Sequence, residues 1–274
     1  MIPKFKLNNG IEIPSIGLGT FELGDDKETQ RTVETALSVG YRHLDTAMYY
    51  ENEEAIGRAV RASGIPREEI VVTTKMWNNY QREGRVIEAF ETSLKKLDID
   101  YIDLYLIHWP VNGKIQETWK IFEEIYKTGK VRAIGVSNFK AHHLQSLKEV
   151  SDLIPAVNQI ELHPYLIQQA DFNYCTKEGI RVEAWSPLTS KQTNLLNEKV
   201  LSNIAGKYGK TPAQIVLRWN YQRGVIAIPK STNEKRMKEN VDIFDFNLTE
   251  DDMQAVYSLN KNKRTSADPD YVDF

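Results

Sequence analysis

The chain has 274 residues, 41% hydrophobic and 27% charged, with 35 Lys and Arg against 38 Asp and Glu for a formal net charge of −3. That is enough apolar material for a packed core and excludes a disordered chain, and the near-even charge balance gives no global field for nucleic acid or an anionic membrane. No apolar run approaches the roughly 20 residues of a membrane helix, Met1-Ile2-Pro3-Lys4-Phe5-Lys6 lacks the apolar core of a signal peptide, and the single cysteine, Cys175, can form no internal disulfide; a soluble cytoplasmic protein is expected.

Residues 4–14 read as a hairpin, because Phe5, Leu7, Ile11 and Ile13 alternate with polar residues around the turn signal Asn8-Asn9-Gly10. Ile16-Gly17-Leu18-Gly19-Thr20 is a first strand, followed by a helix over 27–39 that Gly40 closes. Further short apolar runs read as strands: Arg42-His43-Leu44-Asp45, then Ile70 to Lys75, Ile102 to His108, Ala133 to Asn138, Ala156 to Gln159, Ile180 to Trp185 and Val225 to Lys230. Helices are predicted between them near 52–63, 83–97, 116–128, 140–149 and 169–178. Late in the chain come a helix near 197–208 and one from Thr211-Pro212, with Thr as N-cap and Pro at the first helical position. Helices near 233–240 and 249–260 precede an irregular tail, 261–274. Eight strands alternating with helices predict an α/β protein, a (β/α)8 TIM barrel with an N-terminal β-hairpin and two extra helices, in a single domain over 1–274. An open doubly wound sheet is the alternative, but Gly17-Leu18-Gly19-Thr20-Phe21-Glu22 lacks the third glycine of the dinucleotide fingerprint.

Several predicted strands end on reactive residues: Asp45, Lys75 and His108 close three in succession, and Tyr50 follows Asp45 by five positions. The carboxyl ends of barrel strands open onto one face, where active sites are built. A tyrosine is a poor acid at neutral pH, and a nearby ammonium stabilises its phenolate and lowers its pKa. A carboxylate would orient that ammonium, and a histidine would fix a carbonyl oxygen. Singly, Asp45 also reads as a helix cap, Lys75 as solvated and His108 as a core residue; their joint placement favours chemistry. Lys230 and Ser231 close the last strand before a helix carrying Lys235, Arg236 and Lys238, which reads as a phosphate clamp or a solvated basic face. Ser137, Asn138 and Gln159 supply hydroxyl and amide groups at strand ends, and Trp185 a flat face; the set suits a carboxamide-bearing ring, although Asn138 also reads as a cap and Trp185 as core. Metal binding is not expected: His142 and His143 are predicted to point to different helix faces, and no His-x-x-x-His or Cys-x-x-Cys spacing occurs. Cys175 reads as a small core residue.

The chain resembles the aldo-keto reductases, especially short bacterial members of the diketogluconate and glyoxal reductase type. The resemblance rests on Gly40-Tyr41-Arg42-His43-Leu44-Asp45-Thr46-Ala47, Tyr105-Leu106-Ile107-His108-Trp109-Pro110, the run from Gly129 to Phe139, Val157-Asn158-Gln159, Ala184-Trp185-Ser186-Pro187-Leu188 and Ile228-Pro229-Lys230-Ser231. It implies a catalytic tetrad of Asp45, Tyr50, Lys75 and His108. It implies NADPH across the barrel mouth, contacted by Gly19, Thr20, Asp45, Ser137, Asn138, Gln159, Trp185, Ser186, Leu188, Lys230, Ser231, Arg236, Glu239 and Asn240, with Arg236 at the 2′-phosphate and no metal. Phe21, Trp77, His108 and Trp109 are implied to line the substrate pocket. The loop Thr189-Ser190-Lys191-Gln192 departs from the glycine-containing turn of relatives, and the short connection after Pro110 implies a low pocket wall. The expectation is NADPH-dependent reduction of small aldehydes, dicarbonyls or keto-sugars by a monomer, with a cofactor-binding sensor of the same fold as the rival and a Schiff-base aldolase using Lys75 more remote.

Overall fold

The computed structural model describes residues 2–189, 193–272 and 274. Strands β1 (Lys4–Lys6) and β2 (Glu12–Pro14) form the expected hairpin, with Phe5 opposite Ile13. Its Leu7 and Ile13 join Val71, Leu104, Leu106, Ala133, Val157 and Ile226 in one buried cluster, so the hairpin plugs the barrel floor.

The barrel wall is parallel: β3 (Leu18–Gly19), β4 (His43–Asp45), β5 (Val71–Met76), β6 (Ile102–Ile107), β7 (Val131–Ser137), β8 (Val157–Glu161), β9 (Arg181–Trp185) and β10 (Ile226–Ala227), hydrogen-bonded in chain order. A parallel bridge from Ile16 to Ala227 closes the ring, with Gly17 N donating to Ala227 O at 2.9 Å and Ala227 N to Ser15 O at 3.0 Å. Two glycines make this closure possible. A Cβ on Gly17 would meet the His43 ring at 2.7 Å, and one on Gly19 would meet Ile228 O at 2.7 Å. The Gly17-x-Gly19 pair therefore serves close strand approach, as expected of glycine where backbones meet.

Helices α1 (Asp26–Ser38), α2 (Glu53–Ala62), α3 (Asn78–Arg82), α4 (Val86–Leu97), α5 (Ile115–Lys127), α6 (Ala141–Lys148), α7 (Gln169–Lys177), α8 (Lys199–Tyr208), α9 (Pro212–Gln222), α10 (Glu234–Val241) and α11 (Glu250–Tyr257) surround it. Thr211 and Gln214 form a reciprocal capping box that starts α9, as the sequence predicts. The extra helices α8 and α11 pack on each other and on α9. Cys175 is fully buried, and burial pushes its thiol up to about 12, so it is inert packing. No helix among the described residues is long and apolar enough to cross a membrane.

Three expectations change. The helix expected near 83–97 starts only at Val86, as α4, and an unpredicted short helix, α3, precedes it, the two separated at Gly84, whose φ is +68°. The last strand keeps two of its six predicted residues: Pro229 has no N–H to continue the ladder, and its carbonyl accepts from Gly19 N at 3.3 Å instead. The tail is not irregular throughout. It carries a 3-10 turn, Pro269–Tyr271, and is tied down, with Thr265 N and Oγ1 donating to buried Glu161 at 2.7 and 2.5 Å. Of the loop after Leu188, positions 190, 191 and 192 lie outside the described residues.

Candidate active site

The strand ends deliver the predicted tetrad to one point. Lys75, wholly buried on β5, donates from Nζ to Asp45 Oδ1 at 2.7 Å, to Thr46 O at 2.9 Å and to Tyr50 Oη at 3.3 Å. Asp45 ends β4, and Tyr50 ends the single 3-10 turn Met48–Tyr50 that follows it. That turn is anchored from beneath: Thr46 Oγ1 donates to Asn52 Oδ1 at 2.5 Å, and Asn52 Nδ2 donates to Thr20 O at 2.9 Å. His108 lies beyond the end of β6, its ring edge-on to Tyr50 with centroids 5.8 Å apart.

Electrostatics assign the resting protonation states. Burial works to strip the Lys75 proton, but Asp45 and Tyr50 hold it, so Lys75 stays charged. Burial pushes the Tyr50 phenol above its ordinary value; Lys75 pulls it back, and Asp45 offsets part of that pull. The net direction corrects the sequence-based expectation of a lowered phenol: desolvation outweighs the ammonium. Tyr50 is therefore protonated, beside a cation ready to stabilise its phenolate. Burial and the Lys75 charge hold His108 well below the usual histidine range, so it is neutral, and its Nδ1 is buried without a partner.

Beside the tetrad, Asn138 has φ +64°, a left-handed conformation that asparagine tolerates. Its Nδ2 donates to His108 O at 3.0 Å and Ser137 Oγ at 3.1 Å, and its Oδ1 accepts from Trp185 Nε1 at 2.8 Å. Ser137 Oγ donates to Gln159 O at 2.9 Å. Gln159 Nε2 lies 2.6 Å from both Asp45 Oδ2 and Glu183 Oε1. These groups form one connected polar wall with the half-buried Trp185 indole along it; Ser186 follows at φ +47°, and Leu188 is half-buried.

Across the mouth, Gly19 and Thr20 are fully buried, and Thr20 donates to Asp45 O from both N and Oγ1 at 3.0 and 2.8 Å. Lys230 reaches Glu22 O at 3.4 Å. Ser231 Oγ accepts from Asn233 N at 3.1 Å, and Asn233 caps α10 by accepting from Arg236 N at 3.0 Å. The Arg236 side chain is exposed and makes no ion pair among the described residues. Glu239 pairs with Lys235 at 3.8 Å, and Asn240 is buried against the Tyr41 phenol.

The predicted pocket aromatics meet. Phe21 lies 4.9 Å from Tyr50, Trp77 sits edge-on to His108 at 5.1 Å, and Trp109 is buried. Two residues escaped the sequence reading: Tyr49 stacks on Trp77 at 4.0 Å, and Phe274 stacks on Trp77 at 5.8 Å and meets Trp109 edge-on at 5.5 Å. Asn78 Nδ2 and Arg82 Nη2 fix Phe274 by donating to its O at 3.0 and 2.8 Å. The signal missed at Tyr49 was the aromatic doublet Tyr49-Tyr50 itself; nothing in the tail's composition marked Phe274.

His142 and His143 do not face apart as predicted. Their rings are 4.0 Å apart, and both Nε2 atoms face Asp270 Oδ1, at 3.1 and 3.6 Å. With Asp270 they are the one His, Cys, Asp and Glu group among the described residues close enough to share an ion. His143 Nδ1 already accepts from Lys140 N at 3.1 Å, which leaves the proton on Nε2, and the Lys140 ammonium sits 2.5 Å from Asp268 and Asp270. The cluster is a fastening for the tail.

The chain belongs to the aldo/keto reductase family, whose model matches residues 15–261. It is 48% identical to a glyoxal reductase of Bacillus subtilis (strain 168), over 98% of this chain and 97% of the relative. Among solved structures, an aldo-keto reductase enzyme from a Medee basin deep-sea metagenome library superposes with a TM-score of 0.95 at 48% identity, over 98% of this chain and all of that one. A Bombyx mori aldo-keto reductase in complex with NADP gives 0.93 at 38% identity, over all of this chain and 98% of that one.

Proposed function

We propose that the protein is an NADPH-dependent reductase, one barrel domain over 1–274, that converts small aldehydes, dicarbonyls such as glyoxal and methylglyoxal, or keto-sugars to alcohols. The observation that carries this is the tetrad: a protonated phenol 3.3 Å from a buried ammonium that is itself paired to a carboxylate at 2.7 Å. Family membership and the NADP complex of the Bombyx mori relative support a nicotinamide cofactor. The residues present fit such a group: Ser137, Asn138 and Gln159 form a polar wall that holds the Trp185 indole through Asn138, and the exposed Arg236 lies in the first turn of α10, where a phosphate is favoured. Arg236 selects the 2′-phosphate, which favours NADPH over NADH.

When bound, the reduced nicotinamide supplies a hydride to the carbonyl carbon. The chain does the rest. Neutral His108 donates to the carbonyl oxygen and holds it toward Tyr50. Tyr50 passes its proton to that oxygen, and Lys75, held charged by Asp45, stabilises the phenolate left behind. Phe21, Tyr49, Trp77 and Trp109 shed water from the reacting group.

The test is consumption of NADPH with glyoxal, methylglyoxal and a nitrobenzaldehyde, followed at the reduced-cofactor absorbance band. Turnover is expected with at least one. Tight NADPH binding with no consumption across a broad carbonyl panel would replace this reading with that of a cofactor sensor.

A further inference from the structure

Beneath the tetrad lies a second layer of polar residues that the reaction above does not use. In a barrel strand every second residue faces inward, so the layer consists of residues two positions before the working ones: His43 before Asp45, Thr73 before Lys75 and Glu183 before Trp185. Glu183 is wholly buried. Its Oε1 accepts from Gln159 Nε2 at 2.6 Å, and the same nitrogen lies 2.6 Å from Asp45 Oδ2. Two buried carboxylates thus share one amide nitrogen, with one ammonium to serve them, and Lys75 is bonded to Asp45.

Apart from Lys75, which is bonded to Asp45, the groups facing Glu183 offer it no positive charge. From β4, His43 Nε2 is 4.0 Å from Glu183 Oε2, but that nitrogen lies 3.1 Å from Thr73 Oγ1, and burial drives the imidazole pKa down to about 3, so it is neutral. From the turn after β4 comes the Tyr50 phenol, from β5 Lys75, and from β8 the uncharged Gln159. Glu183 Oε2 has no hydrogen-bond partner. Two buried carboxylates that share one amide nitrogen, with the single nearby cation bonded to one of them, do not both ionise.

We propose that Glu183 is a positioning residue for carbonyl reduction: kept as a neutral carboxylic acid, it locks the Gln159 amide nitrogen against Asp45 and keeps a second negative charge from beneath the Lys75–Tyr50 pair. This rests on the reductase reading of the site. Burial, with Asp45 adding to it, pushes the Glu183 pKa up to about 8. Above that pH the new charge opposes phenolate formation on Tyr50, the direction in which Glu183 acts on that phenol. Proton donation then slows.

The experiment compares wild type, Glu183→Gln and Glu183→Leu. In the wild type, kcat for carbonyl reduction at saturating NADPH is expected to fall roughly tenfold as pH rises from about 7 to about 9.5. Glu183→Gln, neutral at every pH, keeps kcat within about twofold of wild type near pH 6.5 and loses the alkaline fall, with KM little moved. Glu183→Leu, which removes the acceptor for Gln159, loses about tenfold in kcat across the range. Retention of the wild-type alkaline fall in Glu183→Gln, or equal loss in both variants near pH 6.5, overturns the proposal. Infrared difference spectra of the cofactor-free protein supply an independent readout: a protonated-carboxyl stretch that vanishes as pH passes about 8 and is missing in Glu183→Gln. Turnover without that band overturns the Glu183 proposal alone. The band without any turnover overturns the reductase reading, and the positioning role with it.

Discussion

At Tyr50, burial and the Lys75 ammonium pull in opposite directions, and burial wins. The phenol is kept loaded, while the charge that will stabilise its anion waits 3.3 Å away. Tyr50→Phe removes only the transferable proton and leaves the ring against Phe21 and His108. Turnover is expected to fall at least about a thousandfold with NADPH affinity close to wild type, read by stopped-flow turnover beside fluorescence titration. Wild-type turnover in that variant would remove Tyr50 from the role of acid. On the proposed role of Arg236 at the 2′-phosphate, Arg236→Ala deletes a charge-assisted contact of about 1.5–3 kcal/mol, so the Kd for NADPH is expected to rise roughly ten- to a hundredfold while that for NADH barely moves. An equal loss for both cofactors would place Arg236 elsewhere. Asp45, Lys75 and His108 were legible because each closes an apolar run, Tyr50 because it follows Asp45 closely, and Arg236 because it sits in a basic helix just after Lys230-Ser231. Glu183 and His43 were not: a charged residue inside a run such as Ile180 to Trp185 looks solvent-facing until the strand's alternation is referred to a closed barrel. The usable signal was that Glu183 shares a face with Trp185, and His43 with Asp45.

The elements themselves were legible wherever amphipathic period and capping agreed, as at the Thr211–Gln214 box opening α9 and the Asp25 cap on α1, whose side chain accepts from Lys27 N and Glu28 N. They were less so where tertiary pairing sets the length. β3 and β10 are two residues each because the chain meets its own beginning there, and no local pattern announces closure. The tail was illegible for another reason: its order comes from partners far away in sequence, Glu161 for Thr265 and Lys140 for Asp268 and Asp270. That order has a consequence for specificity, since it holds Phe274 on Trp77 and Trp109. Aromatic pairs of this kind contribute about 0.5–1.5 kcal/mol. Phe274→Ala is therefore expected to raise KM for a nitrobenzaldehyde roughly two- to tenfold while leaving KM for glyoxal, too small to span the pocket, within about twofold. Parallel changes for both substrates would show that the ring orders the loops rather than contacting substrate.

For the whole molecule, the buried polar core beneath the site makes stability depend on pH from both sides. His43 is held neutral in the folded barrel, with its pKa lowered from 6.5 to about 3. Between those values the unfolded chain binds a proton that the native state refuses, so stability falls as pH drops below about 6.5. His108, shifted in the same direction, adds to this acid limb. Glu183 works oppositely, because its pKa is raised from 4.5 to about 8. The native state keeps a proton the unfolded chain has lost, so its contribution is fully present below pH 4.5 and is lost as pH rises through about 8. Near pH 5 to 6 the two slopes offset, and a flat maximum is expected about there. Moving to about pH 8.5 should then reduce the unfolding free energy by about 2 kcal/mol, seen as a lower urea midpoint with an unchanged slope. Glu183→Gln carries no such proton, so its midpoint should rise along the histidine limb to about pH 6.5 and stay nearly level from there to about pH 8.5, while His43→Asn should make the acid limb shallower and leave the alkaline one intact. If the alkaline limb of Glu183→Gln ran parallel to that of the wild type, the charge opposing folding at high pH would have to sit on another group, and the neutral acid beneath the tetrad would be ruled out.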